Sequence, residues 1–182
     1  MSAPVKTWQV PEEIERLLTI YRGLAPKRVL EVGSYEGGVL WELAQAATPG
    51  TRIVSLDLAA PNQDLYGSWC PEGVEIVTVL GDSMDGWIFE QVRDLGPYDF
   101  VFIDAAHDEV SVRSDWTLYG GLSTPNGVVA FHDIHHDEDN PATWDSCEVW
   151  KLWREIVADG YLTEEIIHNR AQQCFGIGVV FK

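Results

Sequence analysis

Residues 28–38, Arg28-Val-Leu-Glu-Val-Gly-Ser-Tyr-Glu-Gly-Gly38, decide how this chain folds. Val29, Leu30 and Val32 read as a buried strand, Gly33 breaks it, and helical spacing takes over from Glu36 to Ala47. A strand, a glycine turn and a helix make a binding loop, because glycine lacks a Cβ, tolerates positive φ and lets a ligand approach the main chain. Spacing narrows the ligand. A pyrophosphate-binding loop needs a second glycine where this chain has Tyr35, and Glu36 would set a carboxylate against a phosphate at the helix N-terminus. Phosphate-bearing cofactors are therefore disfavoured. Glu31 in the first strand and Asp57 at the end of Arg52-Ile-Val-Ser-Leu-Asp57 suit a ligand that joins a cationic amino acid to a free ribose diol.

The same alternation runs along the chain. Strands are expected near 28–33, 52–57, 74–79, 98–103 and 127–132, with helices near 36–47, 84–95, 109–120 and 146–159. This order predicts a parallel sheet with helices on both faces. Pro11 opens an earlier helix whose Ile14, Leu17, Leu18 and Tyr21 share one face. Beyond the last helix, Tyr161 to His168 and Phe175 to Phe181 are strand-like runs joined by the polar residues 169–173, so they should pair as an antiparallel hairpin. The reading is an α/β, Rossmann-like, doubly wound and mostly parallel sheet of seven strands in one domain, residues 1–182, with an N-terminal helix over 1–25 and the core over 26–182.

Composition limits the partners. With 46% hydrophobic residues the chain can bury a core, and 12 basic against 29 acidic side chains give a net charge of −17. That charge opposes binding to DNA or RNA, which needs a basic face. Cys70, Cys147 and Cys174 are scattered and suggest neither a disulfide framework nor a thiolate metal site. Residues 1–10 lack the order of a signal peptide and no apolar run approaches the ~20 residues of a membrane span, so a cytoplasmic protein is expected.

S-adenosylmethionine carries both the amino acid and the diol, and over nearly its whole length the chain resembles the class I S-adenosylmethionine-dependent methyltransferases. Val29-Leu-Glu-Val-Gly-Ser34 resembles the first family motif, Ser55-Leu-Asp57 the second, Leu80-Gly-Asp-Ser83 the third and Tyr98-Asp-Phe-Val-Phe-Ile-Asp104 the fourth, in family order. The resemblance implies that Gly33 and Gly37 shape the cofactor loop, and that Glu31 contacts backbone groups or the methionine part. Ser34, Tyr35, Leu58 and Asp104 would also line the cofactor, Asp57 would accept both ribose hydroxyls, and Asp82 and Ser83 would flank the adenine. Trp87 would either cover the adenine face or sit in the core. A lone acid at a strand end is as readily a cap, but Glu31, Asp57, Asp82, Asp104 and Asp133 recur at successive strand ends.

A second cluster joins Asp104-Ala-Ala-His107 to Phe131-His-Asp133-Ile-His-His136. Carboxylates from adjacent strand ends could hold a hard divalent cation. The chain resembles metal-dependent O-methyltransferases of the catechol O-methyltransferase type, in which an acid ends the fourth strand and an acidic-plus-polar pair ends the fifth. That likeness implies Asp104, His132 and Asp133 as ligands for magnesium, manganese or iron. The histidine departs from the pattern and favours manganese, iron or zinc over magnesium. The alternative is that the acids simply orient a hydroxyl or the cofactor. His107 stands where the pattern has its basic residue, and with an unperturbed pKa of about 6.5 it is expected to be a free base at neutral pH and to act as general base beside Asp104. His135, His136, Asp137, Glu138 and Asp139 are either further ligands or a solvated loop.

Phe-Ile-Asp-x-x-His followed by Val-Val-x-Phe-His-Asp-Ile is similar to small bacterial enzymes of the macrocin, rhamnosyl and cephalosporin-pathway type. The Asn/Asp-Pro-Pro-Tyr motif of amino-methylating enzymes is replaced by Ile103-Asp-Ala-Ala-His107, which points to oxygen as acceptor. The implied reaction is an in-line displacement at a sulfonium methyl by a hydroxyl of a sugar, natural product or catechol-like molecule, sped mainly by positioning. Residues 61–71, with Tyr66 and Trp69, and 140–145, with Trp144, read as loops at the pocket mouth, while Trp41, Trp150 and Trp153 lie at core spacing. Only one helix precedes the first strand, which leaves room for a homodimer to complete the acceptor pocket. Two other readings stand at this point. One is a metal-dependent hydrolase built on Asp104, His107, His132 and Asp133, and the other is a non-catalytic nucleoside-binding module.

Overall fold

The computed structural model describes residues 5–136, 147–171 and 175–182. Asp137, Glu138, Asp139, the 140–145 stretch with Trp144, and Cys174 lie outside the described residues. The elements run α1 (Pro11–Leu24), β1 (Arg28–Val32), α2 (Gly38–Ala46), β2 (Arg52–Asp57), α3 (Gln63–Trp69), β3 (Glu75–Leu80) and α4 (Gly86–Leu95). They continue with β4 (Tyr98–Ile103), α5 (Glu109–Leu118), β5 (Ser123–His132), α6 (Val149–Ala158), β6 (Leu162–Ile166) and β7 (Ile177–Phe181).

One seven-stranded sheet has the order β3-β2-β1-β4-β5-β7-β6. The first five strands pair in parallel, and β7 runs antiparallel to both β5 and β6. The hairpin therefore forms as expected, but its second strand is internal. Strand order reverses between β1 and β4, so the two loops that leave these strands diverge and open a crevice.

Side-chain alternation along the strands builds two apolar layers. Val29 faces a layer made with Ile14, Leu17, Leu18 and Tyr21 of α1, Leu40 and Leu43 of α2, and Tyr66 and Trp69 of α3. Leu30 and Val32 face the opposite layer, made with Ile88 and Val92 of α4, Val112 of α5, and Leu152, Trp153 and Ile156 of α6. Burying a side chain of this size contributes about 1.5–3 kcal/mol, so the central strands are held from both faces.

Several local expectations are corrected. Helix α3 occupies a stretch that reads as loop, because Pro61, Gly67 and Pro71 blunt any helical pattern; burial of Tyr66 and Trp69 against Gly37 in the loop after β1 decides instead. Helix α2 starts at Gly38 rather than Glu36, since Gly37 is left-handed at φ 86°. Strand β5 begins at Ser123, ahead of the expected 127, and α6 starts at Val149. Of the tryptophans placed in the core, Trp153 is buried while Trp41 and Trp150 are half-buried, and Trp150 stacks on His136 with ring centroids 4.6 Å apart. Trp87 is 75% exposed, because α4 buries Ile88 and Val92 and turns Trp87 outward. Among the described residues, no helix is long and apolar enough to cross a membrane.

Gly33 is where the two central loops touch. A Cβ there would lie 2.2 Å from the Asp104 carbonyl oxygen, and its φ is 92°. Gly33→Ala is expected to cost roughly 3 kcal/mol or more in denaturant unfolding, from overpacking and left-handed strain together. Gly50 has a similar φ of 89° with nothing within 4 Å, so Gly50→Ala should cost only about 1 kcal/mol. Equal losses would show that backbone strain alone, and not the close contact, makes glycine necessary at Gly33.

Candidate active site

At the carboxyl ends of the central strands lies a cleft of about 660 Å³. Main-chain bonds tie its floor together: Gly33 N–H donates to Leu56 O and Asp104 N–H to Val32 O, both at 2.8 Å. Asp57 receives the Tyr35 N–H on Oδ2 at 2.6 Å and the Ala59 N–H on Oδ1 at 2.9 Å, so it braces two loops while each oxygen keeps a further lone pair. Tyr35 is itself left-handed at φ 46°, a conformation that its bond to Asp57 helps to hold. Asp82 Oδ1 accepts the Met84 N–H at 2.9 Å, and Tyr119 Oη donates to Ser83 O at 2.7 Å. Tyr35, Leu58 and Met84 stand exposed on the rim.

Glu31 is 1% exposed. Burial pushes its carboxyl up to about 8; Ser34 opposes the shift, and the charges of Asp104 and Asp57 add to it. Its Oε2 has no hydrogen-bond partner among the described residues.

The opposite end of the cleft holds two acids and two imidazoles. His107 Nε2 lies 3.0 Å from Asp133 Oδ2 and 3.8 Å from Asp104 Oδ1. His132 Nδ1 lies 3.3 Å from Asp104 Oδ1 and 3.2 Å from Asp133 Oδ1. Burial alone would push both carboxyls up, but the neighbouring imidazoles hold Asp104 and Asp133 below the usual range. Hydrogen bonds to Asp104 and Asp133 raise His107 to about 10, outweighing its burial. Both acids therefore favour the protonated ring over the free imidazole expected from the sequence. Burial disfavours charge on His132 as well, yet the same acids raise it well above the ordinary value.

Ligand atoms of Asp104, His107 and Asp133 all lie within 4.8 Å of one another. The sequence expectation puts His132 with the two acids; its Nδ1 does lie against both, and the structure adds His107 beside them. His132 is still part of β5, so its ring stays buried against Phe175 with centroids 5.8 Å apart and Nε2 unpartnered. Asp133 lies just past the strand at φ 64°, a turn that aspartate tolerates, and its Oδ1 also accepts the Phe175 N–H at 3.0 Å. A reciprocal pair fixes the His107 loop: Glu148 N–H donates to His107 O at 2.7 Å, and Glu148 Oε2 accepts the Glu109 N–H at 3.0 Å.

Sequence reading missed the segment before α1. Lys6, Thr7, Trp8 and Gln9 line the cleft, and Gln9 Nε2 donates to Asp104 Oδ2 at 2.5 Å. Gly38 permits this approach, since a Cβ there would lie 2.6 Å from Lys6 O. The glycine pair at Gly37 and Gly38 was the available signal, because the second glycine has no role in the turn itself.

Solved structures share this architecture. An O-methyltransferase from Bacillus cereus, in complex with S-adenosylhomocysteine, is 20% identical with a TM-score of 0.66, over 100% of this chain and 84% of that one. TomG from Streptomyces achromogenes, an O-methyltransferase involved in tomaymycin synthesis and bound to S-adenosylmethionine, is 21% identical with a TM-score of 0.68, over 98% and 83%. MycE, of the mycinamycin biosynthetic pathway, in complex with magnesium, S-adenosylhomocysteine and mycinamycin VI, is 20% identical with a TM-score of 0.60, over 92% of this chain and 47% of its own. At these identities the likeness is one of fold. No curated protein matches the sequence. A family described as a methyltransferase domain does match, over residues 30–134, a span that exceeds half of the chain and contains every strand-end acid and both histidines of the cluster; the chain belongs to this methyltransferase family.

Proposed function

We propose that the chain transfers the methyl group of S-adenosylmethionine to a hydroxyl oxygen of a small molecule. The observation that carries this reading is one cleft that joins a nucleoside end, floored by Glu31 and Asp57, to the Asp104, His107 and Asp133 corner. The solved structures that share the fold hold S-adenosylmethionine or its demethylated product, and one also holds magnesium and a natural product. Family membership favours this reading over a hydrolase built on the same cluster.

Each part of the cofactor meets a suitable group. Asp57 is acceptor-only when ionised and has lone pairs left for two ribose hydroxyls. Asp82 and Ser83 lie where the adenine would end, and the unpartnered Oε2 of Glu31 suits the ammonium of the amino-acid part. The acceptor would enter beside Trp8 and Phe175, with its hydroxyl at Asp104, His107 and Asp133. We place a sugar, a natural-product hydroxyl or a catechol-like ring there.

Two carboxylates and one imidazole fit a divalent cation of the manganese or iron kind better than magnesium. When bound, such an ion lowers the pKa of the acceptor hydroxyl. His107 can take the acceptor proton only in its neutral form, which requires that Asp104 and Asp133 be engaged elsewhere than with its ring. Base function and occupancy of the acids are therefore linked.

Transfer of a labelled methyl group from S-adenosylmethionine to a panel of catechols, sugars and polyketide hydroxyls tests the reading, and labelled product on nitrogen acceptors alone would refute the choice of oxygen. His107→Ala should leave binding of S-adenosylhomocysteine intact and lower turnover about 10²–10⁴-fold, the usual worth of a positioned acid or base. Asp133→Asn should abolish any stimulation by manganese while sparing nucleoside binding; persistent stimulation would place the ion elsewhere. Glu31 keeps its proton below about pH 8 in the free protein and must shed it to face an ammonium, so binding releases a proton. Affinity for S-adenosylhomocysteine should consequently rise between about pH 6 and pH 8, by up to tenfold per unit, then level off, and Glu31→Gln should flatten the curve. A flat wild-type profile in calorimetry would remove Glu31 from the cofactor site.

A further inference from the structure

Glu13 is 0% exposed although it stands in the first turn of α1, and a glutamate is almost never fully buried unless it is paired. A carboxyl group taken out of water must be hydrogen-bonded. Glu13 meets that need far away in sequence, where its Oε1 accepts the His168 N–H at 2.8 Å and its Oε2 the Gly176 N–H at 3.0 Å. These two amides stand at opposite ends of the loop that joins β6 to β7. One side chain therefore clamps both ends of that loop to the first helix.

What the clamp holds is one wall of the cleft. Phe175 precedes Gly176, lines the cleft and sets its ring against His132. Its N–H donates to Asp133 Oδ1, whose companion oxygen faces His107. Phe175 and Gly176 are both left-handed, at φ 71° and 79°, and phenylalanine keeps so costly a conformation only where its surroundings over-determine it. Consecutive amides then serve different acids, Phe175 N–H the Asp133 of the cleft and Gly176 N–H the Glu13 outside its lining. The segment after β5 reinforces the arrangement, since His135 N–H donates to Phe175 O at 3.0 Å. The start of α1 thus reaches each acid of the corner, Asp104 through Gln9 and Asp133 by way of Phe175.

We infer that Glu13 is a positioning residue for the acceptor end of the cleft: by clamping His168 and Gly176 it holds Phe175 where its N–H fixes the Asp133 carboxyl beside His107. The inference rests on the function proposed above and deepens it by adding a residue that touches neither nucleoside nor acceptor. Its links join residues 42 to 163 positions apart, so no local motif announces them.

Glu13→Gln tests the clamp, because glutamine keeps the shape but offers one acceptor oxygen in place of two and turns an N–H donor toward a main-chain amide. Glu13→Asp, which keeps the carboxyl group and shortens its reach, is the second variant should the first fold poorly. Leu17→Ala, at a fully buried position on the same helix, supplies a comparable loss of stability without touching the clamp. In hydrogen exchange followed by NMR, the Phe175 amide should lose protection about tenfold in the Glu13 variants, together with those of His168 and Gly176, the worth of one hydrogen bond. The Gly33 and Asp104 amides should keep theirs. Phe175 is the informative amide, since its own bond is to Asp133 and not to Glu13. Transfer to the best acceptor of the catechol, sugar and polyketide panel should fall about tenfold in kcat/KM, the lower end of what partners of site carboxylates are worth, with affinity for S-adenosylhomocysteine unchanged. Leu17→Ala should lower the thermal midpoint and leave kcat/KM as it is. Full protection of Phe175 in both Glu13 variants, or an equal fall in transfer for Leu17→Ala at a matched midpoint, would overturn the inference while leaving the function reading in place. Absence of transfer by the wild type would count against the function reading instead, with exchange at Phe175 still deciding whether Glu13 holds the corner.

Discussion

The structure depends on a main-chain contact at the centre of the sheet, where Gly33 lies so close to the Asp104 carbonyl that no side chain fits between them. That contact brings the loop after β1 against the loop after β4, at the one place where strand order reverses. Close approach there puts the cofactor loop and the acid–imidazole cluster within a single cleft. Under the proposed transfer, a wider gap would part methyl donor from acceptor, and positioning is the main source of acceleration in such a reaction.

Electrostatics sorts the cleft into two ends with different needs. At the Asp104 and Asp133 end the carboxylates are matched within the protein by His107 and His132, so the corner is charge-balanced as it stands. At the Glu31 and Asp57 end no such match exists among the described residues. Glu31 avoids isolated charge by holding a proton, raised by burial and by two neighbouring acids. A cationic ligand would resolve that cost only at the second end, so the two ends of the cleft differ in electrostatic demand. Two acids around two imidazoles also explain why both histidines are raised above their ordinary value.

Much of the fold was legible because burial leaves periodic traces. The apolar face of α1, the five parallel strands and the terminal hairpin each follow from spacing that has one low-energy solution. The strand-end acids were legible too, since each closes an apolar run. What escaped notice lacks a local signature. Helix α3 contains a glycine and is flanked by two prolines, and it is the burial of Tyr66 and Trp69 in the layer with α1 and α2 that supports it. Trp87 looked like core because aromatic residues usually are, yet its neighbours Ile88 and Val92 take the buried face of α4.

By itself, then, the sequence determined the α/β architecture, the acids that crown its strands and the family's motif order, all of which are encoded in residues near one another along the chain. Tertiary structure alone decided that His107 and His132 both close on Asp104 and Asp133, and that residues 6–9 wall the cleft. The physical reason is that these properties belong to distances between residues far apart in sequence, and a proton affinity or a hydrogen-bond chain is set by what surrounds a group in space.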